Sequence, residues 1–292
     1  MHIPFLQIGA GFIISAVIGW IAYKRSALSK SGVVGAMLTG TTIFGFGGWP
    51  WGLLLITFFV LSSLLSKYKE ATKETLAEKF AKGSRRDIGQ ALANGGAGAL
   101  IAITYWLTRQ PLLWFAFVGA MATVNADTWA TELGVLSKRM PRLITTGKPV
   151  EPGTSGGISP QGTLATLAGG AVIGVAGALF LYVESLIRYT PRVLLYPLSC
   201  LVYPGNCTQL PVIAALAGLT GSLFDSLLGA TVQAIYYSTR REKETEKVID
   251  PDGTPNILLR GWRWLNNDWV NFISSVVGAA LAALLAHLTT TF

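Results

Sequence analysis

With 292 residues, 51% of them apolar and only 13% charged, the chain lies outside the range of ordinary soluble domains and within that of integral membrane proteins. Its net charge of +8 is accounted for by loops that face anionic lipid headgroups, so no nucleic-acid partner is required.

Mainly apolar runs of about 17 to 25 residues, each long enough to cross roughly 30 Å of hydrocarbon, occur at 5–23, 32–47, 49–65, 91–108, 111–137, 163–183, 211–237 and 269–290. The expected fold is all-α: a polytopic membrane protein with about eight transmembrane helices, in a single membrane-embedded domain spanning 1–292. The second and third runs are separated only by "GGWPW", which leaves seven spans as an alternative. Charge favours eight, because Lys and Arg gather in cytoplasmic loops. Eight spans leave only Arg109, Arg188 and Arg192, out of 23 basic residues, on the outer side. The first run has neither a basic leader nor a transit-like stretch before it, so it reads as a retained span, as in a prokaryotic plasma membrane.

In chain order, the first polar loop, "KYKEATKETLAEKFAKGSRRD", is roughly amphipathic and reads as a headgroup-level helix or a solvated connector. The fourth span opens with "RRDIGQALANGGAGAL". Arg86, Gln90 and Asn94 share one helix face there, at i, i+4 and i+8, suited to an anionic headgroup; a basic anchor beside a small-residue packing face is the plainer reading. The fifth span ends in "ATVNADTWATELG", with Asn125, Asp127, Thr128 and Glu132 forming a polar arc in an otherwise apolar helix. An Asp at a membrane helix centre costs about 2.5 to 3.5 kcal/mol, so something must offset it. The following loop, a cytoplasmic Gly-rich segment at 141–162, carries Lys148 and then Gly153, Thr154, Ser155, Gly156 and Gly157. Backbone N–H groups, hydroxyls and the next helix N-terminus can cradle a phosphate there, although such loops are also mere turns. Cys200 and Cys207 fall together in an outer loop, as a disulfide or as two thiols. The seventh span contributes Asp225 with Ser222 and Ser226, and Gln233 two turns further on.

Asp127, Glu132 and Asp225 are the embedded acids, and no Lys, Arg or His shares their spans to offset them. Oxygen-only ligands favour a hard cation, Mg2+, which takes one or two carboxylates together with waters and substrate phosphates; zinc lacks its Cys and His here. Protonated helix glue or a proton relay is the alternative.

At these residues the chain resembles a known family. "ANGG", "NADTWATELG", "GTSGG" and "FDSLLGATVQ", in this order, are similar to motifs of the integral-membrane family that includes the phytyl-phosphate kinase of the tocopherol pathway and related prenyl-phosphate kinases. The resemblance implies transfer of a phosphoryl group from a nucleoside triphosphate, CTP by preference, to an isoprenoid monophosphate. It implies that Asp127, Asp225 and Glu132 hold Mg2+ on the nucleotide while Lys148 and the 153–157 loop cradle its phosphates, with the site facing the cytoplasm. A prenyl-alcohol kinase or a CTP-dependent cytidylyltransferase is the nearest alternative. An ion-coupled transporter, which also uses embedded acids and interrupted helices, is the alternative of another class.

Overall fold

The computed structural model describes residues 3–68, 85–193 and 207–290. Its frame is α1 (Phe5–Lys24), α2 (Lys30–Gly47), α3 (Trp49–Lys67), α4 (Ile88–Thr108), α5 (Leu112–Gly134), α6 (Pro160–Val193), α7 (Leu210–Thr231) and α8 (Asn267–Thr290). The expected amphipathic segment after Tyr68 and the Cys200 position lie outside the described residues.

The second and third apolar runs are separate helices. Gly48, at φ +99°, ends α2, and Pro50 sits at the start of α3, where its missing N–H costs no helical bond. By length and composition, α1, α3, α6, α7 and α8 are each able to cross a membrane. The others depart from that measure for visible reasons. α2 and α4 are rich in Gly, and α5 carries the acids. α5 is the central helix, packed against α3, α4, α6, α7 and α8, and every residue from Trp114 to Ala126 is buried. It needs no lipid-facing apolar surface. Small residues let its neighbours close in: a Cβ on Gly119 would stand 2.5 Å from the Gly278 carbonyl oxygen of α8. The outside of the bundle is apolar instead, with Leu6 93% and Leu164 69% exposed, a surface that suits lipid rather than water.

The two ends of the bundle differ. At one end Trp51 of α3 stacks on Phe117 with centroids 4.5 Å apart and packs against Trp114 and Tyr105. At the other end the charged loops meet. Ser29 N donates to Arg86 O at 2.9 Å, Lys67 Nζ to Arg25 O at 3.3 Å, Ser66 Oγ to Glu132 at 2.5 Å, and Gln161 Nε2 to Leu133 O at 3.0 Å. These bonds draw the first three basic loops together at one end, and Ser155 Oγ, which donates to Glu246 at 2.9 Å, joins the fourth to them.

The expectation of a purely helical chain is corrected at this end. α7 stops at Thr231, and the apolar run continues as β3 (Ile235–Ser238), which pairs antiparallel with β4 (Lys243–Thr245) and β5 (Ile257–Arg260) in the order β4-β3-β5. Buried Asp250 ties this sheet together by accepting from Ser238 Oγ at 2.5 Å and Asn256 Nδ2 at 3.1 Å and pairing with Arg241. In the 135–159 segment, β1 (Arg142–Leu143) pairs with β2 (Gly157–Ile158). Both small sheets sit over the loop-bearing end.

Candidate active site

A cavity of about 190 Å3 opens where α5, α6 and α7 reach that end. α5 supplies Asp127, and α7 supplies Ser222, Asp225 and Ser226. Ser222 Oγ donates to Asp127 Oδ1 at 3.2 Å, tying the two helices together. The 153–157 loop forms a wall, and the first turns of α6 close the cavity with Ser159, Thr163 and Thr166. Ser159 caps α6: its Oγ accepts from Gly162 N at 3.1 Å, and Pro160 follows at the first helical position. The positive end of a long helix therefore faces the cavity, an arrangement that favours an anion.

Asp225 Oδ2 is buried and has no hydrogen-bond partner. An orphaned carboxylate oxygen beside a second carboxylate is a costly arrangement unless a cation completes it. Among the described residues no three His, Cys, Asp or Glu side chains converge on one metal position. Mg2+ asks for less from protein, since one or two carboxylates with waters and phosphates suffice, and the Asp127 and Asp225 pair fits that demand.

The remaining expected residues are distributed differently. Glu132 does not line the cavity. It accepts from Ser66 on α3 and acts electrostatically on Arg86, apart from the two aspartates of the cavity. Lys148 is exposed and also outside the cavity lining. The chain folds back at 142–149, with Leu143 N donating to Lys148 O at 2.9 Å and Arg142 Nη1 to Gly147 O at 2.8 Å. Asn125 is fully buried and donates through Nδ2 to Gly169 O of α6 at 2.8 Å, a helix-to-helix bond, while its Oδ1 has no hydrogen-bond partner. Thr128 bonds back to Val124 O at 2.9 Å.

Arg86, Gln90 and Asn94 line a separate, mainly apolar groove among α1, α2, α3 and α4, together with Thr39, Phe44 and Phe58. The Arg86 guanidinium lies 5.8 and 5.7 Å from the ring centroids of Phe58 and Phe59. Burial lowers its pKa to about 10, an effect that Glu132 partly opposes, so it remains a cation at pH 7. Gln90 also starts the helix: its Oε1 accepts from Asp87 N at 3.1 Å while Asp87 Oδ1 accepts from Gln90 N at 2.9 Å, a capping box.

Sequence reasoning missed Glu246. It lies just beyond β4, lines the cavity, and accepts from Ser155 Oγ and from Gln233 Nε2, each at 2.9 Å. Gln233 itself is buried, on the turn after α7 rather than on the helix.

The integral membrane protein model DUF92 matches residues 13–279. The chain belongs to this family. It is the family at which the four motifs pointed, and its members span distant organisms. Protein PGR of Arabidopsis thaliana is 36% identical over 96% of both chains. An uncharacterized membrane protein of Methanocaldococcus jannaschii, MJ0933, is 28% identical over 96% of this chain and 94% of its own. Protein VTE6, chloroplastic, of Arabidopsis thaliana is 26% identical over 89% of this chain and 66% of its own. No solved structure matches the chain at a significant level.

Proposed function

We propose that this DUF92 member is a membrane kinase that transfers the γ-phosphoryl group of a nucleoside triphosphate, CTP by family resemblance, to an isoprenoid monophosphate such as phytyl phosphate. The observation that carries the reading is the cavity in which two embedded aspartates meet a helix N-terminus and a Gly-rich loop. Mg2+ held by Asp127 and Asp225 would neutralise charge on the transferring phosphates. In the step itself an acceptor phosphate oxygen forms a bond to the γ-phosphorus, the bond to the bridging oxygen breaks, and the nucleoside diphosphate leaves. The acceptor is already ionised at pH 7, so no strong general base is needed, and orientation by the chain supplies much of the rate. The groove headed by Arg86 suits the acceptor: a cation for its phosphate and an apolar channel for its tail.

The aromatic packing of Trp51, Trp114 and Phe117 at the opposite end favours a one-sided enzyme over a carrier, which needs access from both faces. All eight helices cross the bilayer in this reading, and the loop-bearing end faces the cytoplasm of a prokaryotic cell. In a variant stripped of its native cysteines, Glu244→Cys is expected to react with an impermeant thiol reagent only from the cytoplasmic side, and Arg109→Cys only from the other. The reverse pattern would invert the topology.

The assay that tests the activity combines purified protein, Mg2+ and each nucleotide with phytyl, geranylgeranyl and farnesyl monophosphates and their alcohols. Diphosphate formation from a monophosphate is the expected product, whereas phosphorylation of an alcohol alone would make the enzyme a prenyl-alcohol kinase. Solute movement across sealed vesicles without nucleotide consumption would put a carrier in its place. Arg86→Ala is expected to raise the acceptor KM about tenfold or more, the scale of one charge-assisted contact, with the nucleotide KM unchanged; an unchanged acceptor KM would remove the groove from the account.

A further inference from the structure

Beyond the inner cavity lies an outer chamber of about 470 Å3, between the 149–155 loop and the β3–β4 hairpin. The two share Gly153, Thr154, Ser155 and Glu246, so they are consecutive compartments that meet at the Ser155–Glu246 hydrogen bond. Their chemistry differs. The inner one offers a helix N-terminus and Gly-rich backbone, and its own acids Asp127 and Asp225 are the pair that would share a cation with phosphate. The outer one is bordered by Glu151, Glu242, Glu244 and Glu246 against a single basic residue, Lys243, with Tyr237 among its walls. Such a lining repels phosphate and accepts hydrogen bonds from hydroxyl and amino groups, while an aromatic ring offers a stacking face to a base.

We propose that the outer chamber is the nucleoside subsite. The base and ribose lie between Tyr237 and the 149–155 loop, and the triphosphate passes Ser155 and Glu246 into the inner cavity. This inference rests on the kinase reading and fixes the direction in which the nucleotide enters. Size agrees, since small-molecule sites usually occupy about 300 to 1,000 Å3. Charge agrees as well, because the reverse orientation would set phosphates beside Glu151, Glu242 and Glu244, away from the helix N-terminus and the Gly-rich backbone.

The test uses the full chain in detergent, with labelled CTP and inorganic triphosphate as separate probes. Tyr237→Ala is expected to weaken CTP binding about tenfold, the scale of one base–aromatic stack, and to leave triphosphate binding within about twofold of wild type. Tyr237→Phe is expected to keep the ring and the affinity. In the unmutated protein, an azido-base nucleotide is expected to label peptides within 149–155 or 235–246. Labelling wholly elsewhere, or equal loss of both probes in Tyr237→Ala, would overturn the subsite while leaving the kinase reading in place. Absence of saturable binding of either probe to wild type would overturn both.

Discussion

Asp225→Asn is expected to reduce Mg2+-dependent phosphoryl transfer by about a hundredfold or more. The substitution keeps the shape of the side chain and one hydrogen-bonding oxygen but removes a negative charge from the pair that offsets the cation. Loss of a metal's charge stabilisation is worth several kcal/mol, and each 1.4 kcal/mol or so is about tenfold in rate. Folding is expected to survive. Asp225 Oδ2 is buried with no hydrogen-bond partner, so neutralising this side chain relieves a desolvation cost, and the ligand-free variant should be at least as stable as wild type. The two proteins separate when ligand is added: Mg2+ with CTP should raise the wild-type Tm and leave that of Asp225→Asn nearly unmoved, because only a ligand that binds the native state stabilises it. Asp127→Asn is expected to behave alike. Glu132→Gln is not, since this residue pairs with Ser66 and faces Arg86 outside the cavity; its effect should appear in the acceptor KM. Wild-type turnover and Mg2+ dependence in both aspartate variants would remove the metal assignment.

The second large effect is expected at Gly156. Its φ is +83°, and a Cβ there would lie 2.5 Å from Ala230 Cβ and 2.6 Å from Ala230 N. Valine therefore meets two obstacles: a left-handed backbone that β-branched residues rarely adopt and a collision with the last turn of α7. The loop has to lift off the helix, carrying Ser155 away from Glu246. Nucleotide binding should fall about tenfold or more, because the backbone donors of a phosphate cradle act only in place. Expression and membrane insertion should be unaffected, since the contact lies at the loop-bearing end. Gly147→Ala is the control. Gly147 also has a positive φ, +67°, but open space around it, so it tests strain in the same segment without the collision and should leave nucleotide affinity near wild type. If Gly156→Val binds nucleotide as wild type does, the loop is only a connector.

The contrast between these glycines bears on how far the sequence could be read. It identified the 153–157 loop as a place for backbone approach, but the backbone that approaches Gly156 belongs to α7. Only the folded chain reveals that neighbour. The helices were legible because long apolar runs leave few alternatives, and the charge distribution kept α2 and α3 apart. Asp127 and Asp225 were legible because a carboxylate in an apolar run is expensive and so stands out. The end of α7 was not. Ile235 to Tyr237 continue the apolar run after the helix has stopped, and hydropathy does not distinguish a short buried strand from one more helical turn. Glu246 was hidden for the opposite reason. It sits in the charged stretch "TRREKETEKVIDPDG", where no single acid stands out, and only the turn from β3 into β4 brings it to Ser155. Lys148 is the converse case: it is near the glycines in sequence, yet it is exposed and does not line the cavity that they wall.

The central claim is that the γ-phosphoryl group moves to an isoprenoid monophosphate, and isotope position tests it most directly. Purified protein is incubated with Mg2+ and phytyl monophosphate, once with CTP labelled at the γ-phosphorus and once with CTP labelled at the α-phosphorus. The account predicts label in the lipid diphosphate from γ-labelled CTP alone, with CDP as the other product. Label in the lipid from α-labelled CTP would identify a cytidylyltransferase, and an unlabelled lipid in both incubations, across the nucleotide and acceptor panel, would contradict the kinase assignment.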